Sequence, residues 1–316
     1  MTKLSPETCR LLRLRKQFID SLCKFEDITP EEIVRKRIKE TFIEKLTILG
    51  LEELALKELP PEIVKCTHLT WLCLIHNQIT QLPEVIGQLS NLRRLDLNHN
   101  QITSIPEALG QLSNLRWLDL SNNEITSIPE AVGQWPNLIG LYLDDNKITS
   151  IPKALGQLSN LAVIRLNNNE ITSIPEEIGQ LSNLEGLELN NNKITSIPKV
   201  LGQLSNLRWL KLSHNQITSI PEEIGQLSSL TNLYVGDNQI TCIPETIGQL
   251  SNLIWLELSN ALPRRVSDMT RFNQITSIPE ALGELSNLKG LYIRHNQITC
   301  IPDALGKLLN LTDLDL

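Results

Sequence analysis

Cys73, His76, Asp96 and His99 bring thiol, imidazole and carboxylate groups into one short stretch of the chain. Those are the groups that hold zinc in tetrahedral sites. Asp96, Asp119, Asp144 and Asp145 form a second candidate group. Paired carboxylates carry out acid–base chemistry where burial drives their pKa values apart. Spacing weakens both readings. His76, His99, His214 and His295, four of the five histidines, hold the same place in a recurring unit, where asparagine and aspartate alternate with them. A polar rim explains that column more simply than a metal does. The four aspartates are expected on an open surface, where they would attract a basic partner rather than move protons. No phosphate-binding loop, nucleophile elbow or zinc-protease motif occurs in the 316 residues. The expectation is a chain that is not an enzyme and uses no metal or cofactor.

The elements that position these groups follow from the recurring unit, seen from Leu92 to Asn114 as LRRLDLNHNQITSIPEALGQLSN. Its apolar positions are Leu92, Leu95, Leu97, Ile102, Ile105, Leu109 and Leu112, and nearly every copy starts 23 residues after the last. One column holds Asn77, Asn100, Asn123, Asn146, Asn169, Asn192, Asn215, Asn238, Asn273 and Asn296. From Leu46 to Leu316 this pattern resembles the leucine-rich repeat family in its intracellular form. The resemblance implies an α/β solenoid, with a curved parallel sheet on its concave side and short helical or irregular segments on the convex side.

The physics of the unit agrees. Leu95-Asp96-Leu97 alternates as a strand with one buried face must. A single unit cannot bury its leucines, so units stack. The column asparagines are expected to bond backbone of their own and the next turn. Proline at Pro83, Pro106 and Pro129 stops each strand. The stretch EALGQLSN reads as partly helical, closed by Gly110. About eleven strands, ~4.8 Å apart, would make a sheet roughly 50 Å long.

Composition sets limits on setting and partner. With 41% hydrophobic and 21% charged residues, the chain can bury a long core. It has no apolar run of membrane-spanning length and opens on no signal peptide. Its six cysteines are scattered, without the clustered caps of extracellular repeat proteins, so a reduced, cytoplasmic setting is expected. Residues 1–45 hold eleven Lys/Arg against eight Asp/Glu, and the rest holds 18 against 28. An acidic solenoid argues against nucleic acid, whose phosphates need Lys and Arg, and leaves a basic protein surface as the partner.

Residues 1–45 read as an N-terminal helical cap over a solenoid spanning 46–316. Ser5-Pro6 and Thr29-Pro30-Glu31-Glu32 are helix starts, the second a capping box. Leu11, Leu14, Phe18, Leu22 and Phe25 share one helical face, as do Val34, Ile38 and Phe42. Leu54 stands where the first unit would carry asparagine, which looks like the first repeats of bacterial members of the family. At the other end the sequence stops at LTDLDL, inside a unit, which suggests a fragment of a longer protein.

Binding information lies in the outward strand positions, which vary while the core columns do not. The third position carries Trp71, Arg94, Trp117, Gly140, Val163, Gly186, Trp209, Asn232, Trp255 and Gly290. The fifth carries Cys73, Asp96, Asp119, Tyr142, Arg165, Glu188, Lys211, Tyr234, Glu257 and Tyr292. Large aromatics and charges on a solvent-facing strand are the residues of protein-binding hot spots. The candidate partner-binding set is Trp71, Arg94, Trp117, Asp119, Tyr142, Arg165, Glu188, Trp209, Lys211, Tyr234, Trp255, Glu257 and Tyr292. Packing of the rings on one another is the competing reading, because each fifth-position tyrosine follows a small or polar third-position residue. Trp135 alone takes an inward leucine position on the convex side. An insertion, 261–272, interrupts one unit with the basic segment ALPRRVSDMTRF and reads as an edge loop with a weak kinase-site resemblance.

The leading function is a protein-interaction scaffold in intracellular signalling, similar to the Ras-group repeat proteins that regulate small GTPases. The alternative is the recognition arm of a larger Roco-type GTPase, whose bacterial members carry similar repeats. Glycan binding through tryptophans and carboxylates is a minor third.

Overall fold

The computed structural model describes residues 29–260 and 272–316. Twelve three-residue strands form one parallel sheet in chain order. They are β1 (Ile48–Gly50), β2 (Trp71–Cys73), β3 (Arg94–Asp96), β4 (Trp117–Asp119), β5 (Gly140–Tyr142), β6 (Val163–Arg165), β7 (Gly186–Glu188), β8 (Trp209–Lys211), β9 (Asn232–Tyr234), β10 (Trp255–Glu257), β11 (Gly290–Tyr292) and β12 (Asp313–Asp315). The count is twelve rather than about eleven, because β1, whose coil lacks the asparagine, and β12 each add a strand to the sheet. Register follows the unit: Trp71 faces Arg94 and Trp117 faces Gly140. Trp255 faces Gly290 in the same register, although the insertion lies between them.

The middle residue of each strand from β1 to β11 points inward and is buried with the aliphatic residue two places on in one continuous core. At β12 the exposed Leu314 lies at the open edge of the sheet. The return segments are five-residue 3₁₀ turns rather than α-helix, each entered from proline in extended conformation. Gly110 lies inside its turn and does not close it. Its neighbours explain the residue: a methyl group on Gly110 would lie 2.6 Å from Gln134 Oε1 and 3.3 Å from Ala131 O in the next coil, and one at the same place on Gly156 would lie 2.4 Å from Glu177 O. Glycine there permits coil-to-coil contact, and no glycine among the described residues has positive φ.

Helix α1 (Pro30–Glu44) starts on a complete capping box, with the Thr29 and Glu32 side chains each accepting from the other's backbone N–H. Val34 and Ile38 enter the solenoid core, and Thr41 is buried beside them. Phe42, expected on the same face, is 40% exposed. Arg37 donates to Gly50 O at 2.7 Å and the His68 ring bonds Thr41 O, fixing the helix over the first coil. The expected helix around Leu11–Phe25 and most of the insertion, 261–271, lie outside the described residues. No helix among the described residues is long and apolar enough to cross a membrane.

Candidate functional site

Beneath the candidate face, two asparagine rows fix the coils. Asn169 Nδ2 donates to Leu143 O at 2.9 Å and Leu166 O at 3.2 Å, while its Oδ1 accepts from Ile148 N at 2.9 Å. Asn100 and Asn238 repeat that pattern. Each asparagine serves its own coil and the coil before it, not the one after. That direction explains Leu54: among the described residues the first coil is preceded by helix α1, which offers an asparagine no coil to serve. The second row was not anticipated. Asn114 donates to Ser90 O, Asn160 to Pro136 O and Asn206 to Ser182 O, each near 2.8 Å, along the coil edge before the strands. The Ser-Asn pair that closes most units was its only trace in the sequence.

The histidine column has a backbone cause. His76, His99, Asn122, Asp145, Asn168, Asn191, His214, Asp237 and His295 all have φ between 50° and 60°. Asparagine, aspartate and histidine are the non-glycine residues that best tolerate this left-handed turn. No group of three or more metal-ligating side chains occurs among the described residues. His76 and His99 stack with ring centroids 4.2 Å apart.

The acidic group is not uniformly open as expected. Asp96 is 2% and Asp144 is 6% exposed. Burial pushes both carboxyls up, against the lowering effect of Arg94 on Asp96 and of Arg165 on Asp144. Asp96 Oδ2 accepts from Trp71 Nε1 at 2.7 Å and from Arg94 Nε at 2.8 Å. Asp144 pairs with Arg165 at 2.8 Å and accepts from Asn167. Asp119 accepts from the Asn98 amide and the Ser121 N–H. Burial also drives the Cys73 thiol up to about 12. A thiol so raised stays protonated and makes a poor metal ligand or nucleophile.

All third- and fifth-position residues lie on the sheet face opposite the core, half-buried in most cases. The tryptophans lie along the sheet rather than standing up from it. Trp117 covers Gly140 and stacks on Tyr142 at 6.1 Å between centroids. Trp255 covers Gly290 and stacks on Tyr292 at 6.1 Å. Trp209 leans the other way, over Gly186. The Arg94 guanidinium sits over Trp71 at 4.8 Å from the centroid. Asn232 donates to the Tyr234 hydroxyl. Between these rings runs an ionic chain in which Arg165 contacts Asp144 and Glu188, and Lys211 contacts Glu188. Four of the seven rings therefore pack as two pairs, while Trp71, Trp209 and Tyr234 pack on non-aromatic neighbours, and all seven keep an exposed part. Trp135 is buried on the opposite side, where its Nε1 donates to Leu109 O at 2.6 Å.

A profile described as a leucine-rich repeat region matches residues 84–166 and 198–277, and another described as leucine rich repeat matches 44–102 and 159–217. The chain belongs to the leucine-rich repeat family. No curated protein matches it. Among solved structures, this leucine-rich repeat chain is similar to a repeat protein of Leptospira interrogans, with 34% identity over 90% of this chain and 74% of that one and a TM-score of 0.71. It is also similar to the Arabidopsis receptor kinase HAESA, solved with the peptide hormone IDA and the co-receptor SERK1, at 28% identity and a TM-score of 0.73. That match covers 87% of this chain and 46% of the receptor chain. An internalin of Listeria monocytogenes shares the fold at 24% identity and a TM-score of 0.60, over 92% of this chain and 89% of that one. The leucine-rich repeat fold is typically a binding scaffold.

Proposed function

We propose that this leucine-rich repeat chain holds a partner protein on the outer face of its sheet. The observation that carries the reading is that four tryptophans and three tyrosines share that face, half-exposed, on strands whose core columns hardly vary. Rings stacked on a rigid sheet lose little freedom on binding, which favours affinity. The HAESA structure, with its bound peptide hormone, supports a partner that presents a protein segment.

The setting proposed is cytoplasmic, in intracellular signalling, with a small GTPase or a basic protein surface as partner rather than nucleic acid or membrane. Free cysteines at 66, 73, 242 and 300 and the net charge of −7 support it. The proposed division, a helical cap over 1–45 and a solenoid over 46–316, is supported by α1 packing on the first coil. A second reading, the recognition arm of a Roco-type GTPase, is supported by Leu54 and the repeat resemblance. A GTP-binding motif in the flanking coding sequence would establish it. Glycan binding remains the third.

Affinity capture with the intact chain tests the main reading against the double variant Trp117→Ala, Trp209→Ala. The expected result is an unchanged far-UV spectrum with the partner lost. A partner set that the double variant retains in full refutes it.

A further inference from the structure

The outer face contains one arrangement twice. On β4, Trp117 and Asp119 stand two residues apart, and on β5 Gly140 and Tyr142 lie beside them. On β10, Trp255 and Glu257 stand two apart, and on β11 Gly290 and Tyr292 lie beside them. In both, the indole lies over the glycine and stacks on the tyrosine, next to a carboxylate. Neither Asp119 nor Glu257 has an ion-pair partner among the described residues. Their bonds are neutral: Asn98 and Ser121 for Asp119, Ser259 for Glu257. Arg165 lies over Tyr142 at 5.7 Å, but its ion pairs are with Asp144 and Glu188.

The chain also shows what such a place accepts. At β2 and β3, Trp71 faces Arg94 rather than glycine. There the guanidinium sits over the indole while its Nε bonds the Asp96 carboxylate. Indole face and carboxylate together are the two elements of guanidinium recognition. At β4/β5 and β10/β11 glycine, covered by the indole, stands in register where the arginine stands at β3 and tyrosine where Asp96 stands, and the carboxylate lies instead on the tryptophan's own strand, two residues on. At β7/β8 the carboxylate Glu188 is already bonded by Lys211.

We propose that the Trp117–Asp119 and Trp255–Glu257 places are twin receptors for guanidinium side chains of the partner, supplied from outside as Arg94 supplies one from within. The proposal rests on the sheet face being the interaction surface. Six strand steps separate the two, which at ~4.8 Å each is roughly 29 Å. The partner is then a basic segment whose arginines are that far apart, about nine residues if extended.

Titration of the full chain at low salt, followed by tryptophan fluorescence, tests this with a Gly/Ser peptide carrying two arginines nine residues apart. The control peptide carries citrulline, which keeps the shape and removes the charge. The arginine peptide is expected to bind at least tenfold more tightly. Asp119→Asn and Glu257→Gln are each expected to weaken it about fivefold to tenfold, and together to bring it to the citrulline level. Equal binding of the two peptides, or binding unaffected by both carboxylate substitutions, overturns the proposal. If the captured partner depends on Trp117 and Trp209 but not on the two carboxylates, this inference fails and the interaction face stands. If it depends on neither, the face itself is wrong.

Discussion

Asn169 offers a direct test of how the coils are held. Replacing it with alanine removes the only bond that the Ile148 N–H makes. The three carbonyl partners of Asn169 fare better, since Leu143 O keeps Asn146, Leu166 O keeps Asn192 and Asn167 O keeps the Asp145 N–H. One orphaned buried donor costs roughly 1–3 kcal/mol and each lost neutral bond about 0.5–1.5 kcal/mol, so Asn169→Ala should destabilise by about 3 kcal/mol at any pH. Asn169→Asp separates the donor and acceptor roles. Its carboxyl still accepts from Ile148, but the second oxygen now faces the carbonyls of Leu143, Leu166 and Asn167. Protonated, it donates to one of them and loses about 1 kcal/mol. Ionised, it is buried against three carbonyl dipoles, so its folded pKa must lie above the unfolded value near 3.9. The folded state then binds more protons than the unfolded one. Stability relative to wild type falls by about 1.4 kcal/mol per unit as pH rises from ~4 to the folded pKa, and is flat beyond it. Urea unfolding at pH 4, 6 and 8, with hydrogen exchange at the Ile148 amide, should show the aspartate variant above the alanine variant at pH 4 and below it at pH 8. Two curves that run parallel would refute the assigned amide orientation and the ladder as drawn.

Three further outcomes follow from the packing. Gly186→Ala places a methyl group 2.1 Å from Trp209 Cε2, so it should shift the tryptophan emission and cost about 1–3 kcal/mol, whereas Gly306→Ala, with nothing within 4 Å, should change neither. With Cys9 and Cys23 replaced by serine, maleimide at pH 8 should label the exposed Cys242 and Cys300 and leave Cys73 unmodified, because burial holds that thiol at about 12; mass mapping reads the result. Deleting 261–272 should leave the melting temperature within a few degrees of the parent, because Asn260 already bonds Asn273 across the base of the insertion and the join restores an Asn-Asn pair of the kind found at Asn122-Asn123.

Much of the fold was legible because the unit repeats its core exactly where packing demands it. Leu95, Ile102 and Asn100 announce strand, corner and ladder by type alone. What was hidden depends on relations between coils. Nothing in His99 or Asp145 indicates a left-handed backbone until both are seen to share one turn, and Gly110 looks like a terminator until the neighbouring coil occupies the space of its missing side chain. Asp96 and Asp144 read as exposed because one is on the outward strand face and the other just past the end of β5, yet Arg94, Trp71 and Arg165 cover them. On the candidate face, the positions of Trp117 and Tyr142 were legible, but the flat seating of the indole over Gly140 was not, since it depends on the absence of a side chain one strand away.

The ladder's direction has a consequence for how such a chain can change length. Every coil is completed by the asparagine of its successor, so the rule is local and carries no reference to position in the array. A duplicated 23-residue segment arrives with the asparagine that finishes the coil it lands behind, and the coil it displaces finishes the newcomer. Copy number can therefore drift by slippage at the level of the gene without any compensating substitution. What each event alters is the spacing between residues on opposite sides of the new copy, in steps of one strand, so the reach of the outer face is adjustable while the core is left untouched.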